Sequence, residues 1–266
     1  RGLEPWVTDG TRAGTRLLRD VNVPSSDPRS LVATTGGLAF TADDGERGRE
    51  LWWTSGTGPS TRLVRDITLS GDRGGREPPD LLVAVGSHVF FAADDGVHGR
   101  ELWVSAGTRS STRLVADVCR PLGLCDPAGS SSPQDLHAVG EWLLLTADDG
   151  VHGRELWRSD GSVGGTALVA DLAPGPDSDG PDGWPRSSFP DVLGGGPGWA
   201  LVAANAPSGR RRLWLTDGSA TGTRPLIGVG APDRESVGQS LLADGWIYLT
   251  AASASGATEL WRVGRT

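Results

Sequence analysis

Apolar positions along this chain fall into short runs broken by turns rich in Gly, Ser, Thr and Asp, and the runs recur in a fixed order. One set reads DLLVAVG (80–86), VFFAADD (89–95), ELW (101–103) and RLVADV (113–118). Other sets repeat the order: DLHAVG (135–140) with LLLTADD (143–149), DVLGGG (191–196) with ALVAANA (200–206), and IYLTAAS (247–253). Nothing sustains the 3.6-residue period of an amphipathic helix. Four short strands per unit, here labelled A to D, with turn chemistry between them, is the pattern of a β-propeller blade.

The period is marked by tryptophan. Trp6, Trp52, Trp103, Trp157, Trp214 and Trp261 follow one another at spacings of 46, 51, 54, 57 and 47 residues. Counting strands predicts a C–D pair at the start, four complete sets, and a final A–B–C set. We therefore expect an all-β fold over 1–266: a single β-propeller of about five ELW-type repeats, its four-stranded blades closed into a ring by the terminal strands. A six-bladed ring with incomplete terminal blades is the alternative, and terminal strands that pair with another copy would give an oligomer.

After most of the tryptophans comes a related turn: VTDGTRAGT from 7, VSAGTRSST from 104, RSDGSVGGT from 158 and LTDGSATGT from 215. With the D strand that follows, words such as ELWVSAGT, ELWRSDGS and RLWLTDGS resemble the bacterial ELWxxDGT repeat family over essentially the whole chain. The resemblance implies a secreted or surface protein and carries no catalytic residues with it. The fourth and fifth repeats depart from the pattern, with APSGRRRLW and ASASGATELW in place of the ADDGxxGRELW hairpin.

Composition narrows the chemistry. The chain has no Lys, so Schiff-base and phosphate-loop lysine chemistry is excluded. It has no Met either, which suggests a processed product or an excised fragment. A net charge of −8 argues against a nucleic-acid or anionic-membrane surface. No apolar run approaches the length of a membrane span, so no membrane insertion is expected. Cys119 and Cys125 flank a Pro/Gly loop, and we expect a disulfide and hence a secreted, periplasmic or cell-surface setting.

Candidate sites follow from the repeats. In ADDGVHGRELW, Asp94, Asp95 and Glu101 could hold Ca²⁺, with Asp43, Asp44, Glu50 and Asp148, Asp149, Glu155 as equivalents. One hairpin offers about half of the six to eight oxygens calcium takes. An Asp–Arg–backbone network that fixes the turn is the favoured reading, and no cofactor is expected. Asp177, Asp179 and Asp182 resemble a calcium loop with departing spacing, beside Trp184 and Phe189, two potential partner anchors. His98 and His152 occupy the same place in adjacent repeats, too far apart for one metal.

Trp142, Trp199 and Trp246 recur at the start of strand B, with His88 as an equivalent, and repeated aromatics could stack on sugar rings. The role expected is non-enzymatic: a secreted or surface recognition scaffold binding a protein or carbohydrate partner. A multivalent lectin and a hydrolase with a polar cluster at the central channel are the alternatives.

Overall fold

The runs become strands in the computed structural model, which describes residues 2–67, 78–119, 125, 129–177, 183–226, 240–252 and 257–264. They fall into two compact units, Arg1–Asp117 and Val118–Thr266. The first unit opens with a two-stranded sheet, β1 (Trp6–Val7) and β2 (Arg16–Leu17). A four-stranded sheet follows: β3 (Arg29–Thr34), β4 (Gly37–Asp43), β5 (Arg49–Thr54) and β6 (Arg62–Arg65). Its neighbour holds β7 (Asp80–Val85), β8 (His88–Asp94), β9 (Arg100–Ser105) and β10 (Arg113–Ala116).

The second unit repeats the plan. Its sheets are β11 (Gln134–Val139), β12 (Trp142–Asp148), β13 (Arg154–Ser159) and β14 (Ala167–Ala170), then β15 (Asp191–Gly196), β16 (Trp199–Asn205), β17 (Arg211–Thr216) and β18 (Arg224–Pro225). A three-stranded sheet, β19 (Ser240–Ala243), β20 (Trp246–Ala252) and β21 (Thr258–Val263), ends it. Within every sheet, each strand pairs antiparallel with its neighbour in sequence. First strands of neighbouring sheets lie side by side: β3 with β7, β11 with β15, and β15 with β19. The fold is all-β, built of β-propeller blades.

Burial explains the sequence of each strand. Second strands such as β8 and β16 are covered on both faces and read as continuous apolar runs. In the ELW word, Leu51, Leu102 and Leu156 are at most 1% exposed, each contributing about 2 kcal/mol by burial. Trp52 and Trp103 are buried, stacked on Phe40 and Phe91 at 6.4 and 6.5 Å.

The glutamate of the word is a staple. Glu155 accepts the amides of Leu172 and Ser188 at 2.9 and 2.8 Å and the Ser188 hydroxyl at 2.5 Å. Glu4 takes Val21 N, Ser26 N and Ser26 Oγ in the same way. One carboxylate thus ties the end of a fourth strand to the loop that starts the next sheet.

The turn between third and fourth strands uses one of two interchangeable devices. In the first, Asp160 Oδ1 accepts from Ser162 N and Ser162 Oγ at 2.8 and 2.7 Å, and Asp9 and Asp217 do the same for Thr11 and Ser219. A Cβ on Gly14, Gly165 or Gly222 would run into that carboxylate, so the residue five places after the Asp is Gly. In the second, the Asp is replaced by Ser55 or Ala106 and the Gly by Ser60 or Ser111. The same turn amide, Thr57 N or Thr108 N, now donates to the serine hydroxyl at 3.3 or 3.1 Å. Both versions keep a hydroxyl pair across the turn, such as Ser159 with Thr166 and Ser105 with Thr112, each at 2.7 Å.

Arginines on or just after the last strands of two sheets tie successive sheets. Arg19 Nη1 donates to Thr61 O at 2.8 Å and lies 5.6 Å from the Trp52 ring centre. Arg65 repeats both contacts one sheet later, with Thr112 O at 2.7 Å and Trp103 at 5.5 Å. Cys119 and Cys125 form the expected disulfide, with Cα atoms 6.2 Å apart.

Candidate functional site

In three of the sheets the arginine that opens the third strand reaches an aspartate on or just before the first strand. Arg49 bonds Asp27 at 2.8 Å, Arg100 pairs with Asp80, and Arg211 Nη2 meets Asp191 Oδ2 at 2.6 Å. In the β11–β14 sheet the residue aligned with Asp80 and Asp191 is Gln134, which faces Thr146 as Asp191 faces Ala203. Arg154 turns instead to Ser132 O at 2.7 Å. The acidic residue has moved one place on, to Asp135, a position held by Ser30 and Leu81 in earlier sheets.

That position is a bulge. The β11–β12 register shifts between Gln134 and His137, and Asp135 takes φ 48°, as Ser30 and Leu81 take 53°. A left-handed residue turns its side chain out of the strand's alternation. Asp135 lies beside Asp191, on the adjacent first strand, β15. Burial, then the neighbouring Asp191, push the Asp135 carboxyl above the usual carboxylate range, while His137 and Arg154 pull it down. Burial draws the Arg154 guanidinium down, against Asp148 and Asp135. Burial and a neighbouring carboxylate both favour the protonated form of Asp135. Both are only half-buried, and His137 is exposed beside them with Nδ1 3.3 Å from Asp135 O. A proton donor and an Arg-paired carboxylate therefore face accessible space.

Sequence reading missed this pair, because each aspartate looks ordinary in its own repeat. The one signal was the shift from Gln134 to Asp135 against Asp80 and Asp191.

The residues singled out from sequence lie elsewhere. Asp43, Asp94 and Asp148 each accept the amide of the glycine two places on, at 2.6–2.8 Å. Asp44, Asp95 and Asp149 each accept two further amides of their own turn. Their outer oxygens bond Arg47 at 2.6 Å, His98 at 2.9 Å and His152 at 2.7 Å. The backbone amides and these partners hold Asp44, Asp95 and Asp149 below the usual carboxylate range, although burial opposes them. Among the described residues, no three His, Cys, Asp or Glu side chains converge as a metal site. Asp177 donates its amide to Trp184 O, and Asp179 and Asp182 lie outside the described residues.

Trp142 and Trp246 each have a guanidinium over the ring, Arg158 at 4.5 Å and Arg262 at 4.2 Å. Trp199 is buried at the back of a cleft of about 180 Å³ with Asp217 and Arg224. His88 is exposed, as are Trp184 and Phe189, the last in a left-handed backbone conformation at φ 45°. Among the described residues no helix is long and apolar enough to cross a membrane, and the disulfide is compatible with an extracytoplasmic location.

No protein-family model matches the chain, and no curated protein matches it. Solved structures do. A puromycin hydrolase is 16% identical, with 94% of this chain and 38% of that one covered and a TM-score of 0.45. Prolyl oligopeptidase B from Galerina marginata, bound to a 35mer hydrolysis and macrocyclization substrate, is 11% identical, covering 90% and 32%, with a TM-score of 0.48. TolB from Acinetobacter baumannii is 11% identical, covering 96% and 58%, with a TM-score of 0.37. The chain thus spans about two fifths of the hydrolase and a third of the oligopeptidase. At these identities the likeness speaks to the fold. The expectation of a non-enzymatic recognition scaffold is not what these names bear out, since they include a hydrolase and an oligopeptidase.

Proposed function

We propose that this chain belongs to an extracytoplasmic hydrolase whose acid–base pair is Asp135 and Asp191. The observation that supports the reading is the Asp135 carboxyl, raised above its usual range by burial and by Asp191 on the adjacent first strand. In the proposed step, the ionised Asp191, held by Arg211, takes a proton from a water molecule as its oxygen attacks a carbonyl carbon. Asp135 gives its proton to the carbonyl oxygen, and later proton return releases the amine or alcohol. Two carboxyls whose surroundings separate their acidities can divide the acid and base roles. An amide or ester bond is the matching substrate.

The test is hydrolysis of a panel of short peptide amides and aryl esters by the purified protein. A general acid–base contribution is worth roughly 10²–10⁴ in rate, so Asp135→Asn and Asp191→Asn should each lose at least a hundredfold. Both variants should remain folded at the assay temperature, with Asp191→Asn melting lower because it weakens the Arg211 pair. Turnover that survives Asp135→Asn unchanged, or no turnover of any substrate in the panel, refutes the reading.

A further inference from the structure

Strands β3, β11 and β15 are each preceded by the same short word: Ser26-Asp27-Pro28, Ser131-Ser132-Pro133 and Ser188-Phe189-Pro190. Its serine is fully buried each time, and its middle residue takes a left-handed backbone, at φ 47°, 47° and 45°. The repeat thus fixes the backbone of this slot and leaves its side chain free to vary. Left-handed geometry suits Gly, Asn and Asp and works against a bulky side chain.

Asp27 fits the slot and uses it, giving its carbonyl and Oδ2 to Arg49 at 2.8 Å each. Ser132 gives its carbonyl to Arg154 at 2.7 Å. Phe189 departs from both. Its side chain has no oxygen to offer, and at 53% exposed the ring returns little burial for the strain it adds.

The loop that carries the ring is braced along its length. Arg186 donates to Pro207 O at 2.7 Å and to Pro176 O at 3.1 Å. Ser187 Oγ accepts Arg154 N at 2.9 Å, Glu155 accepts both donors of Ser188, and Phe189 N donates to Arg154 O at 3.3 Å. A ring on such a loop is preorganised, so contact with a ligand costs it little further freedom. Two residues of chain lead from it to Asp191, which places their Cα atoms at most about 7 Å apart. We infer that Phe189 sets the specificity of the Asp135–Asp191 site, its exposed ring seating an aromatic or large apolar group beside the carbonyl that is cleaved. The position of that carbonyl rests on the acid–base reading above.

Two ligand chemistries suit a phenyl face, and magnitudes separate them. A cation over an exposed ring gains about two- to fivefold in affinity, and the nearby Arg154 and Arg211 repel it. An aromatic group gains area burial and ring packing together, about tenfold or more.

The probes are the amides of N-acetylphenylalanine, N-acetylalanine and N-acetylarginine, titrated by ligand-observed NMR into the full chain. Asp135→Asn is used as the background, so that turnover does not consume them. The phenylalanine amide should bind about tenfold tighter than either of the others. Phe189→Asn should remove that preference and, because Asn accepts the left-handed backbone, raise the melting temperature by about 2–4 °C. Val163→Ser, at another exposed apolar residue of the same unit, should leave the preference intact. Four results would overturn the inference: equal binding of the phenylalanine and alanine amides, tighter binding of the arginine amide, a preference that survives Phe189→Asn, or a lower melting temperature in that variant. Turnover by the parent separates this from the acid–base reading. An aromatic preference lost with Phe189→Asn, in a protein that cleaves nothing, removes that reading and keeps the seat; cleavage of all three amides with equal binding does the reverse.

Discussion

The two turn devices predict a double-mutant result inside a single repeat. In the β13–β14 turn, Asp160 holds Ser162 by two hydrogen bonds, and a side chain on Gly165 would displace it. Gly165 does not have a positive φ, so the backbone itself accepts an L-residue there. Gly165→Ser should therefore cost about 2 kcal/mol, the sum of a crowded carboxylate and its lost capping bonds. Asp160→Ala alone should cost about 1 kcal/mol, as loss of a cap does. The double variant reproduces Ala106 and Ser111 of the β9–β10 turn, where the serine hydroxyl accepts Ala106 N and Thr108 N at 3.1 Å each. It should lie within about 0.5 kcal/mol of the parent, a coupling of roughly 3 kcal/mol where non-interacting sites would show none. Urea unfolding at constant m-value reads the three differences. Losses that simply add in the double variant would show that the Asp–Gly and Ser–Ser versions are unrelated accidents of sequence.

Other outcomes follow from burial and linkage. Burial raises the Glu155 carboxyl from 4.5 to about 7, against the Ser188 and Leu172 donors that favour its ionised form. The native state therefore binds the extra proton, so stability is fully present below 4.5 and falls as pH rises through about 7, by on the order of 3 kcal/mol. Unfolding measured from pH 4 to 8 should show that slope and Glu155→Gln should lose it; a flat profile in the parent contradicts the assignment. Leu51 is fully buried and Leu260, at the same place in the ELW word, is 72% exposed. Alanine should cost about 2–5 kcal/mol at the first and under about 0.5 at the second, and equal costs would mean that the last sheet is covered in solution. Replacing Cys119 and Cys125 with Ser opens a ring closed across six residues and should cost about 2 kcal/mol in oxidising buffer. No loss there would point to a bond that is reduced in the folded protein.

Much of the architecture was legible because strand periodicity and turn chemistry are local. The order of A to D runs placed the pair, the four complete sheets and the final triplet where the structure has them. The disulfide was legible from an isolated Cys pair across a short loop. Trp52 and Trp103 mark the period and are buried, but Trp6, at 56% exposed, shows that the same word does not guarantee the same burial. A neighbouring sheet must supply the cover, and a repeat's own letters do not encode its neighbour. The glutamate staple was hidden for a related reason: its partners Leu172 and Ser188 offer mainly backbone amides, which any residue carries.

The carboxyl pair was illegible for a different reason, and that reason bears on what repeats are for. Where a position does the same structural work in every blade, it repeats, as the turn aspartates and the glutamate staples do. Asp80 and Asp191 belong to that class, each answering an arginine from the third strand. Gln134 departs from that pattern, as Arg29 does in the β3–β6 sheet. The carboxylate at Asp135 lies beside the neighbouring sheet's Asp191, keeping only a charge attraction to Arg154, which bonds Ser132 O. Stability alone gives no reason for the exchange: it trades an attractive pair for two carboxyls side by side, a cost of the kind concentrated at functional sites. Restoring the repeat with Gln134→Asp and Asp135→Leu should therefore raise stability, by re-forming the pair with Arg154, and abolish hydrolysis. A double variant that is both less stable and fully active would refute the claim that this departure was kept for chemistry.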